Sequence, residues 1–398
     1  MGDHDMESIS MQDATTHDGR KVPPGGTLGV FGGGQLGRMF GIAARRLGYR
    51  FAVFSDDKDG PASHVADHAV CAAYDDEEAI ASFVRGVDAV TFEFENVPAI
   101  AGEIASKYVP VRPAGSLLHT VQNRQREKDG LTGLGLPVAE YWPVRNEGEC
   151  RAAAAALPGG GVLKTASFGY DGKGQKRIAS GMELEGAWES LGKAPCVLEA
   201  LVPFVEEISV VAARGQDGAI AVYEPFSNHH ENHILDVTMC PRVLGPETQG
   251  EVDRIARRAL EGFDVVGVLC IELFLLADGS ILVNEIAPRP HNSGHLTVDS
   301  HVTCQFQNQV RAVAGLPLGS TERIGRPAAM ANLLGDLWAD GEPNWAAALA
   351  MPGVWLHLYG KAEARKGRKM GHITAVGDTP EEAASRARAA RAALVDRS

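Results

Sequence analysis

The chain has 398 residues, a formal net charge of −13 and 44% hydrophobic residues, too long for one ordinary core and suited to two or three domains. Its acidity excludes broad nucleic-acid binding, because backbone phosphates would be repelled, and no apolar run reaches the roughly 18 residues that a bilayer span needs. Six scattered cysteines, Cys71, Cys150, Cys196, Cys240, Cys270 and Cys304, form no C-x-x-C pair, which argues against a disulfide scaffold or zinc ribbon and for reduced thiols in the cytoplasm.

Residues 1–26 are polar, lack the apolar segment of a signal peptide and read as a disordered extension. From Thr27 the stretch "TLGVFGGGQLGRMFGIAARRLGYRFAVF" reads strand, glycine turn, amphipathic helix, strand, and "DAVTFEFENVP" adds a further strand. This predicts a Rossmann-like α/β domain over 27–118 with a mostly parallel sheet. Gly32, Gly34 and Gly37 fit G-x-G-x-x-G, and Asp56 and Asp57 stand about 20 residues on, where a ribose-binding acid is expected. On these residues alone, NAD binding and simple close packing of strand on helix are equally good readings.

The second region, 119–319, mixes helices with antiparallel strands. In "LKTASFGYDGKGQ", Lys164 precedes Gly169, Gly172 and Gly174. Such a loop can bring backbone N–H groups onto phosphate oxygens without Cβ atoms in the way. "NHHENH", Asn228 to His233, is consecutive and loop-like, with no distant cysteine pair, and does not make a zinc site. In "VLCIELFLLADGSILVNEIAP", Asp278-Gly279 is a two-residue hairpin turn. Ala277 then pairs with Ser280 and, five steps further out, Glu272 with Glu285. Their Cβ atoms would lie about 5 Å apart on one face, a repulsion that Mg²⁺ between them would offset; a one-residue slip would destroy the arrangement. "APRPHNSGH" follows at once and crowds Arg289, His291, Asn292, Ser293 and His295 at the mouth of that hairpin, a set suited to a small oxyanion.

The third region, 320–398, reads as a small, mostly β unit with strands in "GVWLHLYGK" and "RKMGHITAV", closed by an alanine-rich helix from Pro380 to Val395. Between those strands lies "KAEARKGRK", where Lys361, Arg365, Lys366, Arg368 and Lys369 are basic in an otherwise acidic chain.

The ordered set "GGGQLGRM", "EFENVP", "FGYDGKGQ", "NEIAPRPHNSGH", "QFQNQVRAVAGLPLG", "MANLLG" and "LHLYGKAEARKGRKMGH" resembles the ATP-grasp superfamily, and within it the 5-(carboxyamino)imidazole ribonucleotide synthases of purine biosynthesis. The resemblance covers nearly everything from Leu28 to Val376. It implies ATP, bicarbonate and 5-aminoimidazole ribonucleotide as substrates, carboxyphosphate as intermediate, Mg²⁺ as cofactor and a homodimer. It implies that Arg124 and Lys164 contact ATP phosphates, under a loop of Gly169, Tyr170, Asp171, Gly172, Lys173, Gly174 and Gln175. Glu199, Ala200, Leu201 and Val202 would hold adenine through backbone groups and Glu207 the ribose, with His230 nearby. Glu272 and Glu285 would hold Mg²⁺ beside Asn284, and Arg289, His291 and Asn292 would surround bicarbonate. Lys361 and Arg368 would hold the acceptor's 5-phosphate. The N-terminal glycine turn, with Gln35, Leu36 and Glu93, would serve that same substrate, which demotes NAD. Tyr170 and Asp171 would face the imidazole when the loop closes. His233 stands where relatives often carry glycine in H-x-x-G-I-L. The alternatives are a biotin carboxylase or formate-dependent glycinamide ribonucleotide transformylase, which lack the "LYGKAEARKGRKMGH" stretch, and a non-catalytic NAD sensor.

Overall fold

The computed structural model describes residues 19–167 and 174–395. Three sheets organise the described residues. In the first, β1 (Thr27–Phe31), β2 (Arg50–Ser55), β3 (His68–Cys71) and β4 (Ala89–Phe92) run parallel in the order β3-β2-β1-β4. β1, β2 and β4 are buried along almost their whole length, which accounts for their continuous apolar runs. Helix α1 (Gln35–Arg46) lays Leu36, Phe40, Ala43 and Ala44 on one face of this sheet, at helical spacing.

Helix α2 (Arg124–Gly133) opens the second region. Its N-cap, Asn123, accepts hydrogen bonds from the N–H groups of Gln125 and Arg126, so the first turn is fixed although the helix is polar. A small sheet of β5 (Tyr141–Val144), β6 (Gly161–Thr165), β7 (Gln175–Ile178) and β8 (Cys196–Ala200) is antiparallel, in the order β5-β8-β6-β7. It closes over its own core of Leu163, Ile178, Trp188 and Leu198.

The third sheet has nine strands: β9 (Phe204–Arg214), β10 (Ile220–Val222), β11 (Phe226–Glu231), β12 (Ile234–Cys240), β13 (Gly267–Leu276), β14 (Ile281–Ala287), β15 (Ala328–Leu334), β16 (Val354–Leu358) and β17 (Lys369–Val376). Its order is β14-β13-β9-β11-β12-β15-β17-β16, with β10 on β9. The C-terminal strands therefore continue the sheet of the middle region through the pairing of β12 with β15. Helix α3 (Gln305–Ala314) packs Phe306, Val310 and Val313 into the α1 core. Helix α4 (Pro380–Ala393) buries Ala383, Ala384, Ala387 and Ala390 against β12, β15 and β17. Among the described residues, no helix is long and apolar enough to cross a membrane.

Two expectations need correction. Residues 19–26, which composition reads as part of a disordered extension, are pinned to the fold at Val22, although most of the stretch stays exposed. Val22 is 2% exposed, its N–H donates to the Ala314 carbonyl at 2.8 Å, and Tyr49 Oη donates to the Val22 carbonyl at 2.7 Å. The partner lies some 290 positions away, so local composition carries no trace of it. Residues 1–18 lie outside the described residues.

The second correction is the hairpin. Leu276, not Ala277, pairs with Ser280: its N–H donates to the Ser280 carbonyl at 2.9 Å. The loop is thus three residues, Ala277 to Gly279, with Gly279 left-handed at φ +85°, the commoner three-residue hairpin geometry. That shifts the register by one, and Leu273 faces Val283. A bulge at Asn284 then adds a residue to β14, and Glu272 pairs with Glu285 after all. The expected opposition holds because the bulge restores the register that the longer loop removes.

Candidate active site

Three walls meet in one cleft. The first is the glycine turn after β1. The N–H groups of Gly34 and Leu36, at the start of α1, both donate to the carboxylate of Glu93 at the end of β4. A Cβ on Gly34 would lie 2.2 Å from Glu93 Oε1. The anion site that a pyrophosphate would need is thus filled by the protein's own carboxylate. Asp56 and Asp57 are exposed and face no such site. Burial raises the Glu93 pKa, opposed by these N–H donors and by the charge of Lys361.

The second wall is a row of charges on α2. Arg124, Glu127 and Lys128 share a face at spacings of three and four. Arg124 Nη1 lies 3.2 Å from Glu285 Oε2. Lys128, 1% exposed, places Nζ 3.3 Å from Glu199 Oε2 and donates to the Asn284 carbonyl at 3.0 Å. Lys164, on β6, approaches the same Glu199 oxygen at 3.1 Å. Glu127 accepts from the Ile286 N–H at 2.7 Å. Burial, and then the charge of Glu285, push the Glu127 carboxyl up to about 8. For Glu199 burial acts upward, but Lys164 and Lys128 hold its pKa below the usual carboxylate range. A cavity of about 60 Å³ opens here, lined by Glu95, Arg124, Glu127, Ser167 and Glu285.

The third wall is the mouth of the β13–β14 hairpin. His291 Nε2 lies 3.0 Å from Glu272 Oε1, and Arg289 is ion-paired with Glu95. Burial opposes both members of the first pair; their mutual contact lowers Glu272 and, with Cys270, raises His291. Arg289 likewise holds Glu95 down against burial. Behind His291 a polar chain runs inward: Nδ1 to Ser293 Oγ at 2.9 Å, Ser293 to Ser209 at 2.8 Å, and Ser209 to Asn228 at 2.9 Å. The Asn292 amide is buried with neither Oδ1 nor Nδ2 partnered, and Asn284 Oδ1 is equally bare. Buried amides without partners are uncommon; Asn284 precedes Glu285 on β14, and Asn292 follows His291, which contacts Glu272.

Glu199 is the last residue but one of β8, and the Ala200 N–H at its end donates to the Glu140 carbonyl at 2.9 Å. Leu201 is 40% exposed, and Val202 follows it in the same connection to β9. His230 Nδ1 stands 2.6 Å from Glu207 Oε2, off the axis of a straight hydrogen bond. Asn232 and His233 form the two-residue turn between β11 and β12, with φ +50° and +66°. Asn and His tolerate that left-handed region better than most residues, so His233 keeps the turn that glycine would make freely. Gly174 is left-handed at φ +73°, and Gln175 pairs with Lys164 across β6–β7. Gly169, Tyr170, Asp171, Gly172 and Lys173 lie outside the described residues.

Lys361 and Arg368 lie in the loop between β16 and β17 rather than on the strands. Lys361 Nζ sits 5.8 Å from the Tyr359 ring centre, and Arg368 Nη1 donates to the Glu363 carbonyl at 3.0 Å. Arg365 is ion-paired with Glu363 in solvent, its side chain 72% exposed. Gln35 stays at the mouth of the glycine turn, half-buried. Sequence reading missed Glu95, Glu127 and Lys128. "EFENVP" and "NRQREK" carried them in plain view, but only spatial pairing reveals what they do.

A cavity lined by Arg124 and three carboxylates, between a small antiparallel sheet and a large one and beside a Rossmann-like sheet, is the arrangement of an ATP-grasp ligase. Family models agree along the chain: residues 26–122 match the ribonucleotide synthetase preATP-grasp domain, 130–306 the ATP-grasp domain, and 328–386 the phosphoribosylaminoimidazole carboxylase C-terminal domain. The N5-carboxyaminoimidazole ribonucleotide synthase of Brucella melitensis is 42% identical over 361 residues, 90% of this chain and 98% of that one. An ADP complex of an N5-carboxyaminoimidazole ribonucleotide synthetase superposes with TM-score 0.87 at 39% identity, over 93% of this chain and 97% of that one. The Aspergillus clavatus synthase, solved with ADP and 5-aminoimidazole ribonucleotide, gives TM-score 0.84 at 30% identity over 93% and 99%. The chain belongs to the N5-carboxyaminoimidazole ribonucleotide synthase family.

Proposed function

We propose that this protein carboxylates the exocyclic amine of 5-aminoimidazole ribonucleotide, with ATP and bicarbonate, through carboxyphosphate. A bicarbonate oxygen attacks the γ-phosphorus and ADP leaves. The amine nitrogen then attacks the carboxyl carbon, phosphate leaves and the amine proton is lost. The observation that carries this reading is the unpartnered Asn292 amide beside Arg289 and His291, next to the Glu272–Glu285 pair.

Each residue has a task that follows from its position. Arg124 and Lys164 neutralise the β- and γ-phosphates, releasing Glu285 and Glu199 as they turn to the nucleotide. Glu272 and Glu285 fit a hard divalent cation, since both are carboxylates, they oppose one another directly and the bare Asn284 Oδ1 adjoins them. A Mg²⁺ ion held by Glu272 and Glu285 would supply positive charge to offset the charge that builds on the phosphates during transfer. Arg289, His291 and Asn292 orient bicarbonate, while the inward serine chain keeps the His291 ring from rotating. Residues Glu199 to Val202 offer backbone groups to adenine, and Glu207 with His230 stands at the ribose. Gln35, Leu36 and Glu93 flank the acceptor, with Lys361 and Arg368 at its 5-phosphate. The family resemblance assigns the glycine segment with Tyr170 and Asp171 to the ATP phosphates. The protein works in the cytoplasm as a homodimer; its six cysteines are all unbridged, which supports a reducing compartment.

The test is ADP release with bicarbonate, with and without 5-aminoimidazole ribonucleotide. Acceptor-dependent turnover is expected. Turnover with formate and glycinamide ribonucleotide instead would replace this reading with that of the sibling transformylase.

A further inference from the structure

A second group of donor atoms stands outside the cleft. Glu224 follows β10, Cys240 ends β12, and His301 follows the short helix Thr297–Ser300. One donor atom from each lies within 4.8 Å of the other two. Cys240 is fully buried and His301 is 4% exposed, while the Glu224 side chain is 40% exposed and opens the group to solvent.

The hydrogen bonds around His301 fix its tautomer. The Ser300 hydroxyl has one proton, and Oγ donates it to the Leu296 carbonyl at 2.7 Å. The same oxygen lies 2.8 Å from His301 Nδ1, so there it accepts, and Nδ1 carries the ring proton. His301 Nε2 is therefore a bare lone pair, and it is buried with no hydrogen-bond partner. The other contacts are Cys240 Sγ to Glu224 Oε2 at 3.7 Å and Arg323 Nε to the same oxygen at 3.0 Å. The Arg323 backbone also bridges to His301.

We propose that Glu224, Cys240 and His301 bind one divalent cation of the zinc class through a carboxylate oxygen, Sγ and Nε2, with water as fourth ligand. Mixed nitrogen, sulfur and oxygen donors suit a borderline-soft ion and not Mg²⁺. On binding, the Cys240 thiol loses its proton to solvent, and thiolate plus carboxylate offset the two charges of the ion. Arg323 remains on Glu224 as the outer donor that orients a ligating carboxylate. His301 Nδ1–H on Ser300 plays the same part for the imidazole. The ion would clip β12 to the stretch after β10 and to the segment leading from His301 toward β15.

The experiment uses untagged, full-length protein in a Cys71→Ser background, because Cys71 is the exposed thiol. After chelation it is titrated in Mg²⁺ buffer with Cd²⁺, read by thiolate-to-metal absorption, and with Zn²⁺, read by melting temperature and proton release. One Cd²⁺ per chain, about one proton released and a higher Tm with Zn²⁺ are expected. Cys240→Ser, His301→Ala and Glu224→Gln should each weaken binding at least tenfold. If Cys240→Ser does not fold, the other two variants keep the test intact. Absence of saturable thiolate absorption in the parent protein would leave Cys240 S–H on Glu224 and overturn the site. The group His229, Glu231 and Asp236 has no thiol and cannot imitate the signal.

Discussion

The glycine turn after β1 and the mouth of the β13–β14 hairpin both gather charge that needs an answer, and they find it differently. At the turn, N–H donors are answered by Glu93, held so close that even a methyl group on Gly34 would collide. At the hairpin, Glu272 and Glu285 are answered by His291 and Arg124, which reach in from other elements. The first pairing is closed by backbone geometry. The second joins side-chain tips that a rotamer change can separate, so it can be exchanged for a ligand at modest cost. A motif alone therefore does not make a binding site; what already fills it, and how firmly, decides.

The sharpest way to break this contrast is Glu285→Gln. It removes one of the exchangeable carboxylates, and kcat for ADP formation should fall by about 10²–10³-fold, the loss typical of one positioned electrostatic contact. The circular dichroism spectrum should be unchanged. Full activity at ordinary Mg²⁺ would end the metal assignment. Next in size, Lys361→Ala and Arg368→Ala should each raise KM for 5-aminoimidazole ribonucleotide by about tenfold to a hundredfold, the worth of a charge-assisted phosphate contact. KM for ATP should stay put, and Arg365→Ala should change neither. A fall in ATP affinity would show that these cations serve the wrong end of the cleft.

Gly34→Ala probes the closed side. It should lower stability by about 1–3 kcal/mol, as overpacking does, measured by urea denaturation. NAD should give no thermal shift with either protein; a clear shift with the parent chain would mean that Glu93 yields its place. The smallest effect is a pH dependence. Glu127 holds its proton more tightly folded than unfolded, with its carboxyl raised from 4.5 to about 8. Folding therefore takes up a proton across that window, and stability drops as pH rises through it. Glu127→Gln, without Mg²⁺, should flatten this slope and be more stable than the parent at pH 9, with the gap closing toward pH 5. A variant less stable at every pH would refute the buried-acid account.

Much of this was readable before any coordinates. Continuous apolar runs marked the first parallel strands, and the ordered motifs marked the family. Glu272 and Glu285 could be paired because hairpin register is local, although the loop length and the Asn284 bulge each shifted it by one residue in opposite senses. Arg289 with Glu95, 194 positions apart, and Lys128 with Glu199 were not readable, because no period or spacing links such residues. Val22 failed for the same reason: its partner is at Ala314.

The pairing of β12 with β15 reaches beyond architecture. Val237 to Cys240 are matched one by one with Ala331 to Ala328, so the seam between the middle and C-terminal regions is a ladder of backbone hydrogen bonds. A chain truncated before Ala328 would bare that row as a raw edge, with the apolar underside that α4 normally covers. Such edges recruit other chains and aggregate. Grafting a different C-terminal region to change the acceptor therefore has to carry a matching β15 with it, or the hybrid will be lost to the insoluble fraction before its chemistry can be measured.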